Sequence, residues 1–273
     1  MKRTVFFVSD RTGITAETLA HSLLSQFEEV EFNKINLPFI DNLDKAKVAA
    51  QRIDSVAKQD GERPLVFSTL VEDELRKVIE SSNGFVLDMF HAFVKPLETE
   101  LGLPSSHAVG RSHGVVSDTT YQARIEAINY ALVNDDGVTT SNYGKADVIL
   151  VGVSRTGKTP TSLYLALQFG VLAANYPLIE QDMGNDVLPG ELKAHRERLF
   201  GLSILPERLR QIRSERRPDS NYASLQQCER EVRHVESVFR REHITFINTS
   251  AMSIEEIATT VMEKQGIERR WYG

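Results

Sequence analysis

Short apolar runs alternate with longer stretches of helical apolar spacing from the first residues onward, the pattern of a parallel sheet flanked by helices. In the first part of the chain, runs at 4–8, 31–36, 64–68 and 85–89 predict strands. Between the first two, the stretch 15–27 carries Leu19, Leu23 and Phe27 on one helical stripe, with Thr15 and Thr18 near a capped start. Gly, Pro and Ser interrupt the pattern across 101–107. A boundary is expected there, between an N-terminal parallel-sheet α/β domain, 1–105, and a C-terminal α/β domain, 106–273.

In the second part a helix is expected over 119–133, ended by Asn134-Asp135-Asp136-Gly137, whose glycine suits a left-handed turn. Residues 146–151, Ala-Asp-Val-Ile-Leu-Val, are nearly all apolar and read as a central parallel strand buried on both faces. Further strands are expected at 173–176, 199–204 and 245–248, and a last helix at 254–263. No internal repeat or low-complexity tract is evident along the chain.

Composition narrows the class. A chain of 273 residues has room for two domains, each with its own core. Hydrophobic residues at 41% against 26% charged leave the chain too apolar for disorder. The formal charge of -6 supplies no excess of Lys and Arg to track a nucleic-acid backbone, so nucleic acid is not an expected partner. No run of about 18 apolar residues occurs, and the apolar segment at 4–8 is too short for a secretory signal. No membrane association is expected. The lone cysteine, Cys228, fits a reducing compartment, and the cytoplasm is the expected location.

The chemistry concentrates after the buried strand. Gly152-Val153-Ser154-Arg155-Thr156-Gly157-Lys158-Thr159 matches the P-loop pattern G-x-x-x-x-G-K-[ST] at every fixed position, between an expected strand and an expected helix. Glycines let the backbone curl so that successive N–H groups form an anion nest at the positive end of the following helix. In that setting Lys158 neutralises terminal phosphates and the Thr159 hydroxyl ligates Mg²⁺. Pro160 sits in the first helical turn, where its missing N–H costs little. Arg155 reads either as an added cation facing phosphate or as a solvated loop residue.

Other candidates are weaker. The first βα turn, Ser9-Asp10-Arg11-Thr12-Gly13-Ile14-Thr15, lies where doubly wound sheets bind ligands, so Asp10 and Thr12 are candidates for contact with a phosphate or hydroxyl; a capped helix start explains the same residues. Asp135 and Asp136 read as a metal ligand or a base for a hydroxyl nucleophile, against a solvated turn. The run Phe85-Val86-Leu87-Asp88 has the form of a strand ending in a Mg²⁺-holding aspartate, although it precedes the loop. His107 and His113 stand in a Ser/Gly-rich segment. Arg208, Arg210, Arg213, Arg216 and Arg217 are expected to be mostly solvated and paired with Glu207 or Glu215 at helical spacing, the alternative being that some dock phosphate or an acidic partner.

The loop continued through Pro160 and Thr161, together with Ala173-Ala174-Asn175-Tyr176-Pro177, resembles the pyruvate, phosphate/water dikinase regulatory proteins. So do 12–17, 124–128, Asp135-Asp136-Gly137, 199–202 and Tyr222-Ala223-Ser224, which together span nearly the whole chain. Arg11 departs from the pattern, standing where family members usually carry a small residue.

The resemblance implies a bifunctional enzyme, a homodimer, that uses ADP to phosphorylate a threonine of its target dikinase. The reverse reaction it implies is phosphorolysis by inorganic phosphate, releasing pyrophosphate. The implied target is phosphoenolpyruvate synthase, with pyruvate, phosphate dikinase as the alternative. Lys158, Asp135, Asp136 and Asp10 are the candidate catalytic residues, 152–159 the nucleotide site, Thr159 the metal ligand, and ADP, phosphate or pyrophosphate and Mg²⁺ the expected ligands. The loop by itself leaves a small-molecule kinase and a non-catalytic nucleotide sensor open.

Overall fold

A computed structural model describes residues 1–106, 118–179, 188–218 and 220–268. The chain divides into two compact units, Met1–Gly114 and Val115–Gly273, and the dividing point falls outside the described residues. Each unit is built on a four-stranded sheet, and every strand pairing is parallel. This is the α/β architecture that the alternating pattern predicts.

The first unit runs β1 (Lys2–Val8), α1 (Ile14–Leu24), β2 (Glu31–Leu37), α2 (Leu43–Asp60), β3 (Leu65–Ser68), α3 (Asp73–Glu80), β4 (Phe85–Asp88) and α4 (His91–Leu101). Its strand order is β2-β1-β3-β4. Alternate β1 residues feed opposite faces, as a pleated strand must. Phe6 and Val8 pack with Ile53 and Ile79, while Val5 and Phe7 pack with Ala16, Ala20 and Leu24.

The helix α1 forms, but with a different buried stripe from the expected one. Ala16, Ala20 and Leu24 face the sheet, whereas Leu19, Leu23 and Phe27 are exposed. Both sets have helical spacing, and the alanine stripe lets the helix axis lie close against the strands. Neither Thr15 nor Thr18 caps it: the N-cap is Gly13, in the left-handed region at φ 80°, with no side-chain bond.

The second unit runs α5 (Asp118–Val133), β5 (Val148–Gly152), α6 (Lys158–Phe169), β6 (Ala173–Pro177), α7 (Gly190–Lys193), β7 (Leu199–Ser203), α8 (Pro206–Arg216), α9 (Leu225–Arg241), β8 (Phe246–Asn248) and α10 (Ile254–Gln265). Every residue of β5 is buried. Ile149 and Val151 join one cluster with Phe239, and Val148 and Leu150 join another with Phe200 and Val261.

The strand order β6-β5-β7-β8 repeats that of the first unit, which corrects the expectation of no internal repeat: the two units share a topology that the periodicity of the chain does not show. In each unit the chain leaves the first strand, adds a neighbour on one side, then crosses to the other. The crevice outside the carboxyl ends at that reversal is where open α/β sheets take ligands. Details recur in register: Asn36 pairs with Phe7 as Asn175 pairs with Leu150, and Ser68 pairs with Asp88 as Ser203 pairs with Asn248. Asp88 Oδ1 accepts from the Phe90 N–H at 3.1 Å, and Asn248 Oδ1 accepts from the Ser250 N–H at 3.0 Å.

Candidate functional site

The β5–α6 turn begins where two strands approach closely. A Cβ on Gly152 would lie 2.3 Å from the Leu202 carbonyl oxygen, so only glycine lets β5 end against β7 at this distance. Arg155 and Gly157 then take positive φ, 79° and 89°, and the curl they produce delivers the chain into α6 at Lys158. Several of the turn's carbonyls are held by outside donors. The Leu178 N–H donates to the Gly152 oxygen at 3.0 Å, and Thr249 Oγ1 donates to the Thr156 oxygen at 3.2 Å. No side chain caps the α6 N-terminus. Its first N–H groups and the positive end of the helix dipole therefore suit an oxyanion.

Lys158 is only 5% exposed, and its Nζ donates to the Val153 carbonyl at 2.9 Å. Burial pulls its pKa down from 10.5 to about 8; Asp136 and Asp135 push it up, and Arg213 and Arg155 push it down. The lysine is thus a desolvated cation at the start of a helix, a position where an arriving anion gains most from it.

Two sequence candidates meet across the fold. The Thr159 hydroxyl donates to Asp135 Oδ1 at 2.8 Å. The same oxygen accepts from Asn175 Nδ2, while Asn175 Oδ1 accepts from the Asp136 N–H at 3.0 Å. Asn175 is fully buried, and its backbone also holds this loop: its oxygen accepts from Gly137 N at 3.1 Å and its N–H donates to Asn134 O at 3.1 Å. Asp136 and Gly137 both have positive φ, 50° and 68°, making the tight turn that aims Asp135 at α6. In the sequence Asn175 stands out only as part of the Ala173–Pro177 stretch, with no feature that assigns it a role.

On the Ser154 side lies a cavity of 370 Å³ lined by Ser154, Leu178, Ile179, Arg213, Asn221, Tyr222, Gln227 and Glu231. Arg213 departs from the solvated state, paired with Glu207 or Glu215, expected of most of these arginines. It is 0% exposed, pairs with Glu231 Oε2 at 2.6 Å and stacks 4.0 Å from the Tyr222 ring centroid. Burial works against its charge, but the Glu231 hydrogen bond and charge outweigh it and raise its pKa. Tyr222 completes the wall by donating its hydroxyl to Ser154 Oγ at 3.0 Å. No local pattern announces this group, because its members come from different elements.

The remaining candidates fall elsewhere. Asp10 and Asp88 belong to the first unit. Asp88 there accepts from the Phe90 and His91 N–H groups at the start of α4 and lies 3.5 Å from Arg76 Nε, a local structural role. His107 and His113 lie outside the described residues. Among the described residues no helix is long and apolar enough to cross a membrane.

These features define a two-unit parallel α/β protein whose second unit opens an anion-directed turn at the end of its central strand. The chain belongs to the kinase/pyrophosphorylase family, whose model matches residues 5–262, and this makes it a phosphotransferase-type enzyme. Relatives from Ectopseudomonas mendocina (strain ymp) and Stutzerimonas stutzeri (strain A1501) are each 55% identical over 270 residues, 99% of both chains. One from Pseudomonas putida (strain GB-1) is 55% identical over 271 residues, covering 99% of this chain and 100% of its own. All three are named, provisionally, as phosphoenolpyruvate synthase regulatory proteins.

Proposed function

We propose that this chain regulates phosphoenolpyruvate synthase by ADP-dependent phosphorylation of a threonine and by phosphate-dependent removal of that phosphoryl group. The observation that carries the reading is the uncapped turn 152–159, with Lys158 buried inside it and Asp135 joined to Thr159. The relatives' names supply the target.

In the forward direction the β-phosphate of ADP lies in the turn. The threonine oxygen attacks phosphorus, the bond to the α–β bridging oxygen breaks, and AMP leaves. Lys158 balances charge on the phosphoryl oxygens, and the N–H groups of the turn hold them. Asp136 takes the proton of the attacking hydroxyl, while Asp135, fixed by Asn175, orients Thr159. In the reverse direction inorganic phosphate attacks the phosphothreonine phosphorus, and the products are pyrophosphate and free threonine. One nest serves both because ADP, phosphate and pyrophosphate present equivalent oxygens to the same donors. The cavity beside Ser154 leaves room for the remainder of a ligand anchored in the turn.

The Thr159 hydroxyl and Asp135 carboxylate, 2.8 Å apart, are hard oxygen donors of the kind Mg²⁺ takes together with phosphate oxygens. When bound there, the ion would offset negative charge on the phosphates.

The test is incubation with β-labelled ADP and phosphoenolpyruvate synthase. Label on a threonine of the synthase is expected, and Lys158→Ala is expected to reduce that transfer at least about 100-fold with its circular dichroism unchanged. Label on a small metabolite, or none on any acceptor, would overturn the proposal.

A further inference from the structure

The β1–α1 turn of the first unit repeats the β5–α6 turn in sequence as well as in place. Arg11-Thr12-Gly13-Ile14-Thr15 corresponds to Arg155-Thr156-Gly157-Lys158-Thr159, and Asn36-Leu37-Pro38 on the neighbouring strand corresponds to Asn175-Tyr176-Pro177. Gly13 and Gly157 have the same left-handed backbone, φ 80° and 89°, and each starts a helix without a side-chain cap. In both units the chain beyond the Asn-x-Pro strand holds turn carbonyls: Ile40 N–H donates to Ser9 O at 2.9 Å, as Leu178 N–H donates to Gly152 O at 3.0 Å.

Two differences set the chemistry. Ile14 stands in the place of Lys158 and is exposed, so the first turn lacks the buried cation suited to a polyphosphate. In exchange it carries Asp10, which is 8% exposed. Asp10 lies just past β1, and Val71 and Glu72, in the segment that follows β3, lie near its carboxyl at the ends of the two paired strands. Its Oδ2 is buried with no hydrogen-bond partner among the described residues. Burial raises the pKa of this carboxyl, with Arg11 opposing and Glu72 adding to the rise.

A buried acceptor beside the N–H groups of an uncapped helix suits an oxyanion that brings its own proton. Inorganic phosphate at neutral pH is such an ion, since hydrogen phosphate keeps one proton. Sulfate has none, and a phosphomonoester with its second pKa near about 6 is largely without one. We propose that the β1–α1 turn is a second anion site, selective for inorganic phosphate, in which the helix N–H groups and Arg11 hold the oxygens and Asp10 Oδ2 accepts the hydrogen bond of the phosphate hydroxyl. This site does not depend on the reaction assigned to the second unit.

The test is a titration of the full-length ¹⁵N-labelled chain with inorganic phosphate, and separately with sulfate and phosphothreonine, following the amide of Gly13. The amide of Gly157 reports the other turn in the same spectra. Phosphate is expected to shift Gly13 to saturation, with at least about tenfold more sulfate or phosphothreonine needed for the same shift. In Asp10→Asn, whose amide can donate to any oxyanion, the preference for phosphate should fall to within about twofold. A Gly13 resonance unmoved by phosphate, equal response to phosphate and sulfate in the natural chain, or an undiminished preference in Asp10→Asn each overturns the proposal. The natural-chain titrations decide the matter even if the variant does not fold.

Discussion

Single side chains set the chemistry of the second unit, Lys158 first among them. Its folded pKa of about 8 lies below the ordinary 10.5, so between those values the unfolded chain keeps a proton that the folded chain has released. Stability therefore rises with pH across that interval, and the burial cost, of order 3 kcal/mol, is present in full below it. A bound diphosphate reverses the balance by favouring the charged form. ADP binding at about pH 9 is thus expected to take up protons, and calorimetry in buffers of different ionisation enthalpy should show this in the natural chain but not in Lys158→Met. Equal proton uptake in both proteins would remove Lys158 from the site.

Arg213 belongs to the same scale. Glu231→Gln leaves a fully buried guanidinium without its counter-charge and is expected to cost about 3–5 kcal/mol in urea unfolding. The double variant Arg213→Met/Glu231→Leu should recover most of that loss. A loss below about 1 kcal/mol in Glu231→Gln would show that the pair is dispensable.

At the scale of elements, periodicity located strands and helices well because it is a local property. The buried strand, its glycine-rich turn and the helix after it are legible from 148–169 alone. Periodicity failed where two stripes had equal claim, as in α1, where the larger residues lost to the alanines because the sheet demands close approach. It also gave no access to contacts between elements. Asp135 and Thr159 were each candidates, but Asn175, which holds Asp135 in place, is 40 positions from it, and Tyr222 is 68 from Ser154.

The end of β5 carries its own test. Gly152→Ala must part the β5 and β7 backbones and is expected to cost about 1–3 kcal/mol in urea unfolding. Gly190→Ala, where an added Cβ meets nothing within 4 Å, is the neutral comparison. Matching midpoints for the two variants would contradict the close approach at Gly152.

The described residues use one strand topology twice, and in each unit the order of strands reverses beside the first strand, where open α/β sheets take ligands. The duplication is invisible in composition and weak along the chain, because the matching residues cluster at the carboxyl ends of the strands, while one helix lies between β3 and β4 and two lie between β7 and β8 among the described residues. On this account the second unit binds and transfers, through a turn whose lysine is buried and whose threonine is tied to an aspartate. The most direct measurement is a crystal structure of the full chain with ADP. The diphosphate is expected along 152–159, its oxygens within hydrogen-bond distance of the turn's N–H groups and of Lys158 Nζ. ADP seated away from that turn, with Lys158 still bonded to the Val153 carbonyl, would contradict it.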